Sequence, residues 1–390
     1  MFSDAEIIRS SASNILRLHW NVAETNRSFA DVKKNSSVLL TADNIRKNVD
    51  PVFLEPEVTE DFPTTTGDEP RIPHIIHQTY KSESIPQVYI PLIQSFIQHN
   101  RNWTYFFWTD SSARKLISER FPNFLHTWDN YKKGVYRADA LRYFVLHEFG
   151  GIYVDLDFQC LRPLDRVTYK YSAIFPSEPL EHSVFLYKMP LFVNNAIMMS
   201  RPKHPFLKYL MDRLSWSRNN RNLLEVAGPA FVHRQFFNYN GIRQVTVDAN
   251  GDKNSTVPYS APKHMKFPPD HADGIYVPNT HYFMNTLAAN FPVENARNTC
   301  RNKVFLDNME QCYGNGQRRR CKPMKISMAQ THSNIKRACN ELARRDIRSQ
   351  EDHFRFTYTV HHWFSSYANS RIVFQNNSDI RDIVPEVRIF

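Results

Sequence analysis

From about residue 70 to residue 212 the chain alternates two rhythms of apolar and polar positions. In "GGIYVDLDF", residues 150–158, Ile152, Val154, Leu156 and Phe158 are apolar at every second position, which predicts a β-strand. "IPHIIHQTY" (72–80) and "WTYFFWTD" (103–110) read as two further short strands. Between them lie stretches with helical spacing. "IPQVYIPLIQSFIQHN" (85–100) is one, and "SSARKLISERFPNFLHTW" (111–128) is another, opened by Ser residues able to cap it. "YRADALRYFVLHEFGG" places Leu141, Phe144, Val145 and Phe149 at helical intervals, and Gly150 and Gly151 end it. Strands alternating with helices predict an α/β fold built on a mostly parallel sheet.

The first 69 residues have a different texture. Asn, Ser and Thr clusters and the acidic run "LEPEVTEDFPTTTGDEP" predict a stem or linker, partly disordered, with one short helix near "DAEIIRSSASNILRLHW". No stretch has the roughly 20 apolar residues of a membrane span, and the start lacks the basic-then-apolar pattern of a signal peptide. The expectation is that the chain is cytosolic, or that it reaches its compartment through a segment not in this sequence.

Composition narrows the classes. The 390 residues are 42% hydrophobic, enough for a sizeable core, and 28 Phe and 18 Tyr argue against disorder over most of the chain. The net charge of +10 raises nucleic acid, an anionic membrane surface or phosphate-bearing ligands as partners. The basic run "QRRRCKPMK" (317–325) comes with no zinc-finger spacing and no RNA-recognition motif, so a solvated face is expected there and no nucleic acid. Four of five cysteines, Cys300, Cys312, Cys321 and Cys339, crowd one segment. Two disulfides would form there in an oxidising compartment, leaving Cys160; the alternative is five reduced thiols. Sequons at Asn26, Asn35, Asn102, Asn254 and Asn376 permit a secretory location.

The chemistry lies in the strand that carries two acids. With side chains alternating, Tyr153, Asp155 and Asp157 share the face opposite Ile152, Val154, Leu156 and Phe158, near the strand's C-terminal end, where open α/β sheets bind ligands. Two carboxylates this close repel unless a cation lies between them. Oxygen ligands suit Mn²⁺ or Mg²⁺, which complete their shells with phosphate oxygens. An Asp-x-Asp alone is a weak signal. The preceding helix strengthens it, because Asp139 and Arg142 are three residues apart on one face and can reach the same cleft to bind sugar hydroxyls.

"RADALRYFVLHEFGGIYVDLDFQCLRPLD" (137–165) resembles the signature of glycosyltransferase family 32, the DXD-containing sugar-binding family. The two upstream strands, "VNNAIMMSRPKHPFLKYLM" (193–211), "AGPAFV" (227–232) and "HHWFSSY" (361–367) resemble that family's other motifs in order, so the resemblance spans about residues 70–370. It implies a GT-A type fold over 70–370, a Cys-bearing insertion at about 295–350 and a C-terminal tail at 371–390. The implied activity is a retaining, Mn²⁺-dependent (or Mg²⁺-dependent) hexosyltransferase acting from a nucleotide sugar on a glycan or glycolipid acceptor. Likeness to the mannosyltransferase branch favours GDP-mannose over UDP-galactose, UDP-glucose and UDP-GlcNAc. It also implies a Golgi or other secretory lumen, with membrane association through a segment absent here.

By the same resemblance Asp155 and Asp157 are the DXD acids, Asp157 on the metal and Asp155 at the metal shell or the donor ribose. Asp139, Arg142 and Asn195 hold the sugar, Tyr80 stacks on the base, and Tyr367 meets the donor phosphate. His361 or His362 completes the metal shell. Tyr80 and Tyr367 stand where the family has Trp, and Ala227 where it has Thr. Two other classes are weighed: a glycan-binding relative without turnover, which the intact acids and Arg142 disfavour, and a phosphohydrolase or nuclease, for which no further Asp/Glu/His motif provides a two-metal site.

Overall fold

The computed structural model describes residues 62, 69–187, 189, 191–241, 265–301, 334–347, 354–364 and 376–390, and the backbone alone at 310–313, 320–323 and 328–333. The expected stem at 1–69, apart from Phe62 and Glu69, lies outside the described residues, and so does Tyr367.

The chain enters through strand β1 (Ile75–Thr79), short strand β2 (Ser84–Pro86) and helix α1 (Ile90–His99). Strand β3 (Thr104–Trp108) follows, then helices α2 (Asp110–Arg120) and α3 (Pro122–Asp129). The expected single helix over 111–128 is two. Phe121 leaves the helical region at φ −135°, because the residue before a proline is disfavoured there. The cap of α2 is Thr109 rather than Ser111. Its hydroxyl accepts from the Ser112 N–H while the Ser112 hydroxyl accepts from the Thr109 N–H.

Helix α4 (Gly134–Phe149) runs into strand β4 (Gly151–Val154) through Gly150. Both glycines have positive φ, +68° and +96°. A Cβ on Gly150 would lie 2.7 Å from Pro202 Cδ, and one on Gly151 would lie 2.5 Å from the Ile75 carbonyl oxygen. Only glycine makes this reversal. His77 fixes it from the sheet, with Nδ1 accepting from the Trp108 indole and Nε2 donating to the Gly150 carbonyl at 2.9 Å.

Strands β5 (Phe158–Cys160) and β6 (Ala173–Ile174), helix α5 (Leu180–Phe185), strand β7 (Ile197–Ser200) and helices α6 (Pro205–Ser217) and α7 (Pro229–Asn240) continue the chain. Helix α8 (Val293–Arg301), the hairpin of β8 (Glu310–Tyr313) and β9 (Arg320–Pro323), and helix α9 (Met328–Ile347) make up the Cys-bearing region. Strands β10 (Thr359–His361), β11 (Asn377–Asp379) and β12 (Arg388–Ile389) close the chain.

The central sheet has the order β12-β3-β1-β4-β7-β6. β12, β3, β1 and β4 are parallel to one another, while β7 is antiparallel to β4 and to β6. The fold class is the expected α/β one, with a mostly parallel sheet flanked by helices. Both faces are covered. Ile152, Val154 and Met199 pack with α1 on one side; Tyr153 and Met198 pack with Phe144, Phe206 and Phe231 of α4, α6 and α7 on the other. Two short antiparallel pairs, β5 with β10 and β2 with β11, attach the late strands to early ones. Of residues 377–390, only Arg388–Ile389 join the central sheet, beside β3.

A disulfide, Cys300–Cys339, staples α8 to α9. Cys160 is a free, buried thiol. Cys312 and Cys321 are register partners across the β8–β9 hairpin. Among the described residues no helix is long and apolar enough to cross a membrane.

Candidate active site

Strand β4 ends at Val154, one residue before the first acid. The expected alternation through Phe158 therefore stops early, and Asp155 and Asp157 sit in the turn between β4 and β5. The reason is burial: both faces of β4 are core, so no strand face was free for a charge. The turn closes with the Phe158 N–H donating to the Asp155 carbonyl, and the Asp155 N–H donates to the Ala196 carbonyl at 2.9 Å.

Helix α4 aims Asp139 and Arg142 at this turn. The Arg142 guanidinium lies 2.8 Å from Asp139 Oδ1 and 3.2 Å from Asp155 Oδ2, and it donates to the Asn195 carbonyl at 2.8 Å. It also lies over the Tyr153 ring, and the Tyr153 hydroxyl donates to Asp155 Oδ1 at 2.9 Å. The Asn195 amide donates to Asp139 Oδ1, and both Asn195 and the Tyr143 hydroxyl donate to the Ala227 carbonyl. Ala227 contributes its backbone only, so the absence of the family's Thr leaves these two bonds intact. Next to it, a Cβ on Gly228 would stand 3.2 Å from Asp139 Oδ2, so glycine leaves room beside that carboxylate.

Asp157 has a separate set of partners. His361 Nε2 is 3.2 Å from Oδ1, the Phe364 N–H donates to Oδ2 at 2.9 Å, and the His362 N–H donates to the backbone carbonyl at 2.8 Å. The His361 ring is sandwiched between Phe158 and Trp363. The His362 ring instead faces Gln159 Oε1 at 3.3 Å, and burial lowers its pKa. Of the two expected histidines, His361 is thus the one beside the acids.

The electrostatics separate the two acids. Burial pushes Asp155 up to about 6; Asp157 nearby adds to this, and Arg142, His361 and Tyr153 oppose it. Burial also pushes Asp157 up, but His361 and the Phe364 N–H outweigh it and hold Asp157 below the usual carboxylate range. Burial raises Asp139 against the pull of Arg142 and Asn195. Two carboxylates, Asp139 and Asp155, share the Arg142 guanidinium, and Asp157 stands beside them without it, so negative charge is in excess, the environment a cation relieves.

Among the described residues no three His, Cys, Asp or Glu side chains converge as a ready metal cage. Asp157 and His361 fit a more sparsely held ion. Their 3.2 Å separation is close to the roughly 3 Å between neighbouring ligands of a six-coordinate ion with bonds of about 2.1 Å. Both oxygens of Asp155 already have protein partners, so its first task is to hold Arg142.

Tyr80 is half-buried beside Tyr89, which in turn contacts Phe364, the residue whose N–H holds Asp157. An aromatic wall therefore runs from Tyr80 to the acids. Tyr143, Tyr153, Gly228 and Gln78, whose amide donates to the Asp155 carbonyl, also belong to the site. Tyr153 was signalled by its alternation with Asp155, while Tyr143, Gly228 and Gln78 lie inside the family-like stretches without being singled out there. The others face the site through long-range packing that no local pattern encodes.

Residues 86–174 match the family model described as "Glycosyltransferase sugar-binding region containing DXD motif". That segment, 89 of the 390 residues, is similar to the sugar-binding region of DXD-containing glycosyltransferases. It is 35% identical over 204 residues to mannosyl phosphorylinositol ceramide synthase SUR1 of Saccharomyces cerevisiae, covering 50% of each chain. It is 30% identical over 203 residues to inositol phosphoceramide mannosyltransferase 1 of Schizosaccharomyces pombe, covering 50% of this chain and 60% of that one. The matches thus span about half the length of these relatives. Among solved structures it is similar to the PaToxG glycosyltransferase, at a TM-score of 0.33 and 18% identity over 44% of this chain and 69% of that one.

Proposed function

We propose that the chain is a retaining, metal-dependent hexosyltransferase that moves mannose from GDP-mannose to a glycolipid hydroxyl in the secretory pathway. The observation that carries this is the adjacency of two constellations: Asp139, Arg142, Asp155 and Asn195 locked together, and Asp157 with His361 beside them. The first suits a sugar, the second a cation and its diphosphate. The names of the relatives, which specify mannosyl transfer to inositol phosphoceramide, support the choice of sugar and of a phosphoinositol-bearing lipid acceptor.

In this reading Asp139 accepts from donor-sugar hydroxyls, with Gly228 leaving the space for them. Arg142 is braced by Asp139, Asp155 and the Asn195 carbonyl, so it keeps its place without reorganisation when charge shifts in the transition state. Tyr80 offers a ring face to the nucleotide base. Asp157 and His361 would hold a divalent cation, which would neutralise the charge growing on the departing diphosphate. The bond from the anomeric carbon to the phosphate oxygen breaks while the acceptor oxygen bonds to that carbon from the same face. The acceptor's proton goes to the departing phosphate oxygen. Asp139 is tied to Arg142 and Asn195, so no free carboxylate is placed as a covalent nucleophile.

The test is release of free nucleoside diphosphate from a panel of GDP-mannose, UDP-galactose, UDP-glucose and UDP-GlcNAc with Mn²⁺. GDP release that chelation stops, and that Asp157→Asn lowers at least a hundredfold, is expected. Protein that neither binds nor turns over any of the four overturns the reading.

A further inference from the structure

We infer that Trp363 is a positioning residue that holds His361 and two backbone N–H groups on Asp157; this rests on the reading of Asp157 and His361 as a cation seat. Trp363 has φ +55°, a left-handed conformation that a bulky side chain rarely adopts. The other such non-glycine residues among those described are Lys203 and Asn376, and Asn tolerates it.

The conformation has a visible result. It bends the chain so that the residues on either side, His362 and Phe364, both turn their N–H groups toward Asp157. One donates to its carbonyl at 2.8 Å and the other to its carboxylate at 2.9 Å. Paired N–H groups flanking a left-handed residue form the concave nests that proteins use to hold anionic oxygens.

If backbone shape were the whole requirement, glycine would serve better. The indole has its own contacts. Its ring lies 4.0 Å from the His361 ring, whose other face stacks on Phe158 at 4.2 Å. That clamp leaves Nε2 pointing at Asp157 Oδ1. The indole N–H donates to the Thr286 carbonyl at 3.0 Å, and the Thr286 hydroxyl donates to the His361 carbonyl at 2.6 Å. Side chain and backbone thus close a loop through Thr286 that keeps Trp363 from relaxing. Behind it stands His182, edge-on to the indole, with Nδ1 bonded to buried Glu178 and Nε2 accepting from the Ala288 N–H. The ring therefore backs onto a rigid wall.

The experiment compares Trp363→Gly, which keeps the left-handed backbone and deletes the ring, with Trp363→Phe, which keeps a ring and deletes the N–H. Mn²⁺ alone is titrated calorimetrically, with Asp157→Asn as the reference for a lost seat. The ¹⁵N resonances of His361 are read in metal-free protein, where they report the tautomer. Expected are at least tenfold weaker Mn²⁺ binding in Trp363→Gly and about threefold in Trp363→Phe. In metal-free wild type a single tautomer is expected, with Nε2–H donating to Asp157 Oδ1, a proton that would leave when an ion takes Nε2; in Trp363→Gly it should become a mixture. Wild-type affinity together with an unchanged tautomer in either folded variant overturns the inference. If wild type and Asp157→Asn alike bind no Mn²⁺, the cation-seat reading falls instead, and the tautomer comparison alone decides the role of Trp363.

Discussion

Replacing Arg142 by Met removes the guanidinium and keeps much of its volume. The Arg142 side chain is 8% exposed and that of Asp139 9% exposed; that of Asp155 is 27% exposed. The substitution leaves Asp139 with only the Asn195 amide among these partners, and Asp155 with only the Tyr153 hydroxyl. Breaking a buried pair by removing one partner costs about 3–5 kcal/mol. Because Asp155 retains some access to water, the lower half of that range is expected. In the melting temperature this is a drop of roughly 6–8 °C, at about 2 °C per kcal/mol for a domain of this size.

The pH dependence has a definite sign. Burial raises Asp139 and pushes Asp155 up to about 6, and Arg142 opposes both shifts. Without the guanidinium both pKa values rise further, so the folded variant binds more protons than its unfolded chain above the ordinary carboxylate range. Its stability then falls as pH rises. Scanning calorimetry of wild type and Arg142→Met at pH 5.5 and 7.5, in non-reducing buffer, checks this. The deficit should be larger at pH 7.5, and Asp139→Asn added to Arg142→Met should recover part of it. A loss below about 1 kcal/mol, or an equal loss at both pH values, would refute the reasoning.

Four further outcomes are expected. Mn²⁺ binding should weaken as pH falls through about 6, because protonating Asp155 removes a negative charge beside the Asp157–His361 seat; titrations at pH 5, 6 and 7.5 read this. Gly151→Ala should prevent accumulation of folded protein, since its Cβ would meet the Ile75 carbonyl at 2.5 Å on a backbone of positive φ; soluble yield and circular dichroism decide it. Cys300→Ser should destabilise the α8–α9 unit by about 4 kcal/mol, the loop-closure value for residues 39 apart, read as earlier protease cleavage there. In the same protein Cys160, buried and pushed up to about 11, should resist alkylation until the chain unfolds.

Elements were legible where one local rule governed them. The short strands in 72–80 and 103–110, the helical spacing that begins at Tyr136 and the paired glycines all rest on neighbours in sequence, and all appear in the fold. Asp139 and Arg142 fall on one helical face as their spacing requires. What escaped depends on distant chain. That β4 stops at Val154 follows from helices covering both its faces. The antiparallel direction of β7 is set by its pairing with β4 and β6, which "NNAIMMS" alone cannot announce. The choice of His361 over His362 turns on the pairing of β10 with β5, which fixes which ring stacks on Phe158.

That last pairing bears on how the molecule matures. Gln159 meets His362 across 203 positions, and Asp157 meets Phe364 across 207. The proposed cation seat would therefore be missing from a partly made chain; it needs contacts across more than 200 positions to close. Such late, non-local contacts slow folding and come near its end. Ion capture by Asp157 and His361 would then act as a completion signal, favouring the finished protomer over every precursor by mass action. A fragment ending before residue 354 can build most of the sheet and still have no place to hold the ion.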